Sequence, residues 1–109
     1  MDWGILAKNK MNIEKNYNGK ELTIKVDNQI DTVTAPDFEN EIIDEMGKFD
    51  SLNLDFENLE YISSAGLRVL ISTQKKLQPE GIPFNIINTP PVIKDIITVS
   101  GLDNVLNMQ

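Results

Sequence analysis

The sequence predicts an α/β domain with a mixed sheet, and three observations support this prediction. Residues 11–16 and 21–27 alternate apolar with polar side chains, and the Asn-Gly pair between them predicts an antiparallel hairpin. The chain then alternates between short apolar runs and segments with helical periodicity. Such β-α-β units form parallel strands with right-handed crossovers. We therefore expect four to five strands, mostly parallel in the core and antiparallel at the hairpin, with helices packed on the sheet.

The first helix is predicted to follow a polar connection over residues 27–31, with Thr34 as its N-cap. Every fourth residue from Phe38 to Met46 is apolar, and Gly47 is a typical helix stop. The opposite side of this helix is acidic. We interpret it first as a solvated face and second as a partner-docking face. Its carboxylates are those of Asp37, Glu39, Glu41, Asp44 and Glu45.

The second half of the chain predicts two further strands and two helices. Residues 51–55 are predicted to be a short central strand, followed by a turn and a helix that ends near Pro79. Residues 82–88 are the next predicted strand, and residues 90–101 the third helix, which opens with Pro-Pro and closes at Ser-Gly. Residues 102–106 either form a short terminal strand or cover the core.

Composition limits the possible chemistry. The 109 residues are enough for one domain, which we expect to span residues 1–109. The chain has no cysteine and no histidine, so disulfides, thiolate or imidazole catalysis and the usual zinc ligands are excluded. We therefore predict a protein that is not an enzyme and that has no cofactor and no metal site.

The net charge of −7 disfavours nucleic acid as a partner, because an acidic surface repels phosphate backbones. No run approaches the roughly 18 apolar residues of a membrane span, and residues 1–8 lack the features of a signal peptide. We expect a cytoplasmic protein that binds neither nucleic acid nor membrane, and we favour a monomer.

The candidate functional site is a pair of serines, Ser63 and Ser64, between a predicted strand and a helix. A hydroxyl at this position faces free backbone N–H groups and the positive end of the helix dipole, which together suit a phosphate. The same position is also ordinary for a helix cap, which contributes about 1 kcal/mol. Gly66 would then be a packing requirement. Spacing alone favours the cap.

The residue string is more specific than the spacing. Residues 55–70 read Asp-Phe-x-x-Leu-x-Tyr-Ile-Ser-Ser-Ala-Gly-Leu-Arg-Val-Leu and strongly resemble the STAS domain family, within it the bacterial anti-sigma factor antagonists. Residues 30–36 are similar to the family's segment before its first helix, and residues 96–102 to its late helix ending in Ser-Gly-Leu. The resemblance covers nearly the whole chain.

The resemblance implies a switch that works by protein binding. The unphosphorylated antagonist binds an anti-sigma factor that is also a serine kinase, and so releases a sigma factor. Phosphorylation by that kinase ends the binding, and a phosphatase resets the cycle. By position the phosphorylated residue is Ser64. Ser63 is a competing acceptor that stands where many relatives have Asp, and Ala65 stands where many have Ser or Thr.

The resemblance also implies a partner-binding surface around this turn. Asp31 matches an acidic residue of the family near the same surface, although it could equally serve only to bind backbone N–H groups of its own loop. The residues expected on this surface are Asp31, Ser63, Ser64, Ala65, Gly66 and Leu67.

Two other functions remain open at the level of sequence. The chain could be a STAS binding or scaffold module that is not phosphorylated, in another signalling complex or a transport-associated one. A small carboxylate enzyme is the third possibility, and the absence of a Walker-type phosphate loop argues against it.

Overall fold

The computed structural model describes residues 11–109, in which three α-helices pack on a six-stranded sheet. The N-terminal residues considered above for a signal peptide lie outside this range. The strands are β1 (Asn12–Asn18), β2 (Glu21–Ile30), β3 (Ser51–Asp55), β4 (Leu59–Ile62), β5 (Phe84–Ile87) and β6 (Asn107–Met108). The helices are α1 (Ala35–Ile43), α2 (Ser64–Leu77) and α3 (Pro91–Val99), and a 3-10 turn (Gln78–Glu80) follows α2.

The sheet is mixed, as predicted. β1 and β2 form the antiparallel hairpin, with Gly19 at a φ of 64° in its turn, a backbone conformation that glycine adopts without strain. The strand order is β1-β2-β3-β5-β6, and β2, β3, β5 and β6 run parallel. The α/β fold class and the central place of β3 are therefore confirmed.

The strand count exceeds the prediction because β4 was not foreseen. β2 continues through the predicted polar connection to Ile30, and β4 pairs in parallel with this extension. β4 contains a bulge: Asn28 pairs with Leu59 and the next residue of β2 pairs with Tyr61, so Glu60 is an extra residue. Leu59 and Ile62, three positions apart, consequently both face the core. A spacing of three does not indicate a strand in the sequence.

The C-terminal end resolves the choice left open for residues 102–106. Leu106 is buried and Leu102 packs against the core, so this stretch covers the core. The strand β6 follows immediately and pairs with β5.

One continuous core lies between the helices and one face of the sheet. Alternate residues of β2, such as Leu22 and Ile24, are fully buried, and β3 contributes Leu52 and Leu54 in the same way. Phe38 and Ile42 of α1 are buried in this core, as the apolar spacing of that helix predicted. Within residues 11–109, no helix is long and apolar enough to cross a membrane.

The acidic side of α1 is partly paired with β1. Lys15 Nζ lies 2.7 Å from Glu41 Oε1 and 3.0 Å from Glu45 Oε2, and the Tyr17 hydroxyl donates to Glu45 over 2.8 Å. These hydrogen bonds lower the pKa of Glu45. Burial disfavours the charged form of Lys15, yet its hydrogen bonds to the two carboxylates leave its pKa raised. Asp37 and Asp44 stay exposed, so only part of this face is freely solvated.

Candidate functional site

The carboxyl ends of β2 and β4 bring the predicted site together. Ile30 is paired with Ile62 in the parallel ladder, and the Ser63 N–H donates to the Ile30 carbonyl over 2.8 Å. Asp31 and Ser63 are therefore neighbours, each directly after its strand. Since α1 and α2 begin within a few residues of these strand ends, the two helix starts lie side by side.

Ser63 is the N-cap of α2. Its φ of −86° and ψ of 173° are extended, and its Oγ accepts from the Gly66 N–H at 3.3 Å. Its carbonyl accepts from the Leu67 N–H at 2.9 Å, and the residue is only 8% exposed. The Ser63 hydroxyl is thus hydrogen-bonded to the first turn of the helix, and the residue is buried.

Ser64 is the first residue of α2, and it is exposed. Within residues 11–109, the N–H groups of Ser64 and Ala65 have no hydrogen-bond acceptor, as expected for the start of a helix. The Ser64 hydroxyl therefore stands in solvent beside two free donors and the positive end of the helix dipole. The two adjacent serines are separated in role, one capping and one presented to solvent.

Gly66 allows α2 to lie close to the sheet. A Cβ at this position would lie 2.6 Å from Ile62 Cγ1 and 2.8 Å from Ile30 Cγ2, which is too close for real carbon contacts. Leu67 is 7% exposed and belongs to the core. Of the six residues expected on the partner surface, Ser64 is thus exposed, Asp31 and Ala65 are half-buried, and Ser63, Gly66 and Leu67 are buried.

Asp31 caps the turn that leads into α1. Its Oδ1 accepts from the N–H groups of Val33 and Thr34, each at 2.9 Å. The Thr34 N–H is the main reason why the pKa of Asp31 is lowered. Thr34 occupies the predicted N-cap position of α1, but its hydroxyl makes no cap hydrogen bond to the helix and accepts from the Asp31 N–H instead. Among residues 11–109, Asp31 makes its hydrogen bonds through Oδ1, so Oδ2 can meet a partner.

Asp31→Ala is expected to lower the free energy of unfolding by about 1 kcal/mol, because two backbone donors lose their acceptor. Asp31→Asn should cost less, since an oxygen acceptor remains. The folded-state pKa is lowered, so the advantage of wild type over Asp31→Asn is present above about pH 4 and disappears as the pH falls through that pKa. Urea denaturation at several pH values measures this. Asp37→Ala is the matched control, and an equal loss there would argue against the cap.

Sequence reasoning missed the surface that flanks the serines. A shallow groove of about 340 Å³ separates the start of α1 from α2. Arg68 lines it four residues after Ser64, a helical spacing that could have identified it. Val33 is 81% exposed in the turn before α1, and an apolar residue among polar ones was the available signal. The groove is lined by Thr32, Ala35, Pro36, Glu39, Ala65, Arg68, Val69 and Ser72.

Asp55, the last residue of the central strand β3, acts as a turn former. Its Oδ1 accepts from the Glu57 N–H at 3.0 Å and lies 3.2 Å from Asn88 Nδ2. No cluster of three or more acidic, histidine or cysteine side chains suited to a metal occurs in residues 11–109.

Comparison with known proteins identifies the fold and the family. The structure superimposes on an anti-sigma factor antagonist from Mycobacterium paratuberculosis with a TM-score of 0.83 and 26% identity, over 92% of this chain and 86% of that chain. A comparison with curated protein sequences gave no match.

Two solved structures of the anti-sigma factor antagonist SpoIIAA share the fold at 15% identity. The unphosphorylated form aligns with a TM-score of 0.76, over 90% of this chain and 88% of that one. The phosphorylated form, from Bacillus, aligns with a TM-score of 0.71, over 90% and 91%. The family model for the STAS domain matches residues 10–109. The family model covers nearly the whole sequence, including the serine pair at the junction of β4 and α2. This chain therefore belongs to the STAS domain family.

Proposed function

We propose that this protein is an anti-sigma factor antagonist that binds an anti-sigma factor serine kinase while Ser64 is unmodified. Phosphorylation of Ser64 ends that binding, so the kinase is again free to hold its sigma factor. The observation that carries the proposal is the contrast between the exposed Ser64 hydroxyl and the buried, hydrogen-bonded hydroxyl of Ser63. Likeness to an anti-sigma factor antagonist over most of the chain supports it.

In this proposal the chain supplies the acceptor and the kinase supplies the nucleotide site. Ser64 Oγ forms a bond to the γ-phosphorus of ATP while the bond to the β,γ-bridging oxygen breaks, and ADP leaves. The hydroxyl proton passes to a base on the kinase. A phosphatase of the same pathway hydrolyses the phosphoserine and restores the hydroxyl. This exchange would take place in the cytoplasm.

The fold tolerates a phosphate at Ser64, but a closely packed interface would not. The exposed helix start, with its free N–H groups, accepts negative charge without rearrangement. A partner that packs against Ser64, Ala65 and Val33 would have to desolvate the new dianion, which is costly without a matching cation. The Asp31 carboxylate, on the neighbouring strand end, adds repulsion. Binding is therefore lost while the fold is kept.

Incubation with the partner kinase and ATP is expected to add one phosphate to wild type and to Ser63→Ala, and none to Ser64→Ala. Intact-protein mass spectrometry gives the stoichiometry, and peptide mapping gives the position. Ser63→Ala is the matched control, because it removes the neighbouring hydroxyl and costs only the cap, about 1 kcal/mol.

Full phosphorylation of Ser64→Ala would contradict the assignment of the acceptor. If wild type bound its partner but gained no phosphate in the presence of ATP, the protein would instead be a STAS scaffold module.

A further inference from the structure

We infer that the guanidinium of Arg68 forms an ion pair with the phosphate of phosphorylated Ser64, which lies one turn earlier on α2. The inference rests on the proposed modification of Ser64 and specifies how the modified state is held. It is supported by the placement of the two residues on the helix, by the lack of an ion pair of Arg68 in the part of the chain that the structure describes, and by the charges around them.

The helix places the two side chains as neighbours. Ser64 and Arg68 are both exposed on α2 and are four residues apart, a spacing that brings Cβ atoms to about 5–6 Å. Side chains of a helix lean toward its N-terminus, so Arg68 leans toward the turn that begins with Ser64. An anion that precedes a cation by four residues is also the more favourable order. A phosphate on Ser64 is thus within reach of the guanidinium.

Arg68 forms no ion pair with any residue of the described range 11–109. Within residues 11–109, the ion pairs join Lys15 to the α1 carboxylates and Lys25 to Glu57. Glu39 lines the same groove as Arg68 but does not pair with it. The sequence of α2 contains no acidic residue. Pairing with phosphoserine 64 therefore breaks no ion pair of Arg68 within residues 11–109.

The surrounding charges make this cation important for the modified state. Three charged groups lie near this helix start: Asp31 follows β2 beside Ser63, and Glu39 of α1 lines the same groove as Arg68. In this set Arg68 is the cation, and the carboxylates repel a dianion. Arginine binds phosphate through two parallel hydrogen bonds, which are stronger than those between neutral groups.

Phosphorylation then changes the docking surface in two ways. It adds a dianion at Ser64, and it withdraws the guanidinium from any acidic group of the partner. An acidic substitution at Ser64 would reproduce this only in part, since a carboxylate carries a smaller charge and a shorter reach than a phosphate.

The test uses the full chain with phosphoserine inserted at position 64 during translation, so that no kinase is needed. Phosphorus NMR then follows the second ionisation of the phosphate in four proteins: otherwise wild type, Arg68→Gln, Arg68→Lys and Lys75→Gln. Arg68→Gln is expected to raise the pKa of the phosphate by about 0.2–0.4 unit, because a cation no longer favours the dianion. Arg68→Lys should give a smaller rise, since it keeps the charge and loses the planar donor pair.

Lys75→Gln is the matched control, because it removes one exposed positive charge from the same helix about 16 Å from Ser64. It should leave the titration unchanged. Identical titrations of the wild-type and Arg68→Gln phosphoproteins would overturn the inference. Failure of the kinase to modify Ser64 would instead overturn the proposed function, so the two outcomes are separate.

Discussion

Ser64→Asp is expected to weaken binding to the partner kinase by about tenfold to a hundredfold, whereas Ser64→Ala should leave the affinity within about twofold. The new carboxylate would be placed at an exposed helix start that we propose to be buried by the partner, beside the carboxylate of Asp31. A charge buried in an interface loses its hydration, and like charges in contact cost several kcal/mol. Arg68 offsets only part of this cost, because an aspartate side chain reaches less far toward it than a phosphate would. Alanine removes only a small hydroxyl.

Isothermal titration calorimetry with the purified partner measures both affinities. Asn16→Asp is the matched control, because it adds the same charge with almost the same shape at an exposed position of β1. It should bind as wild type does. If Ser64→Asp bound equally well, the surface around Ser64 would not be the interface.

Gly66→Ala is expected to lower the free energy of unfolding by up to about 2 kcal/mol. Two effects oppose each other. Alanine favours a helix over glycine by about 1 kcal/mol, while overpacking of a filled core costs about 1–3 kcal/mol. The added methyl would meet Ile62 at 2.6 Å and Ile30 at 2.8 Å, both fully or almost fully buried, so the cost of overpacking is the larger effect.

Urea denaturation measures the loss, and a double-mutant cycle identifies its cause. Ile62→Val removes a methyl group that would lie 3.2 Å from the new Cβ. The loss in Gly66→Ala/Ile62→Val should therefore be smaller than the sum of the two single losses. A stabilising effect of Gly66→Ala, as at an open helix position, would show that α2 does not pack this closely.

The parts of the fold that follow a regular period were predictable from the sequence. The hairpin, the buried strand over residues 51–55 and the apolar side of α1 all appear where alternation or four-residue spacing placed them. The extension of β2 and the whole of β4 were not predictable, because a bulge interrupts the period of two at Glu60.

The position of the serine pair between a strand and a helix was predictable, but the different surroundings of the two serines were not. A serine pair between a strand and a helix indicates a cap or a modified hydroxyl, yet only burial and hydrogen bonds distinguish Ser63 from Ser64. In the same way, the sequence places Thr34 at the N-cap of α1, but only the hydrogen bonds show that its hydroxyl bonds back to the Asp31 N–H while Asp31 Oδ1 accepts from the Thr34 N–H. Arg68 acquires significance only from its place one turn after Ser64.

The extra residue in β4 determines which side chains face the core just before the two serines. In an uninterrupted strand that begins with Leu59 facing inward, Tyr61 would also face inward and Ile62 would face solvent. With Glu60 inserted, Tyr61 is exposed and Ile62 is buried, where it forms the support on which Gly66 rests. The packing of α2 on the sheet therefore depends on whether the number of residues in this short strand is odd or even. The direction in which the Ser64 side chain points depends on it as well.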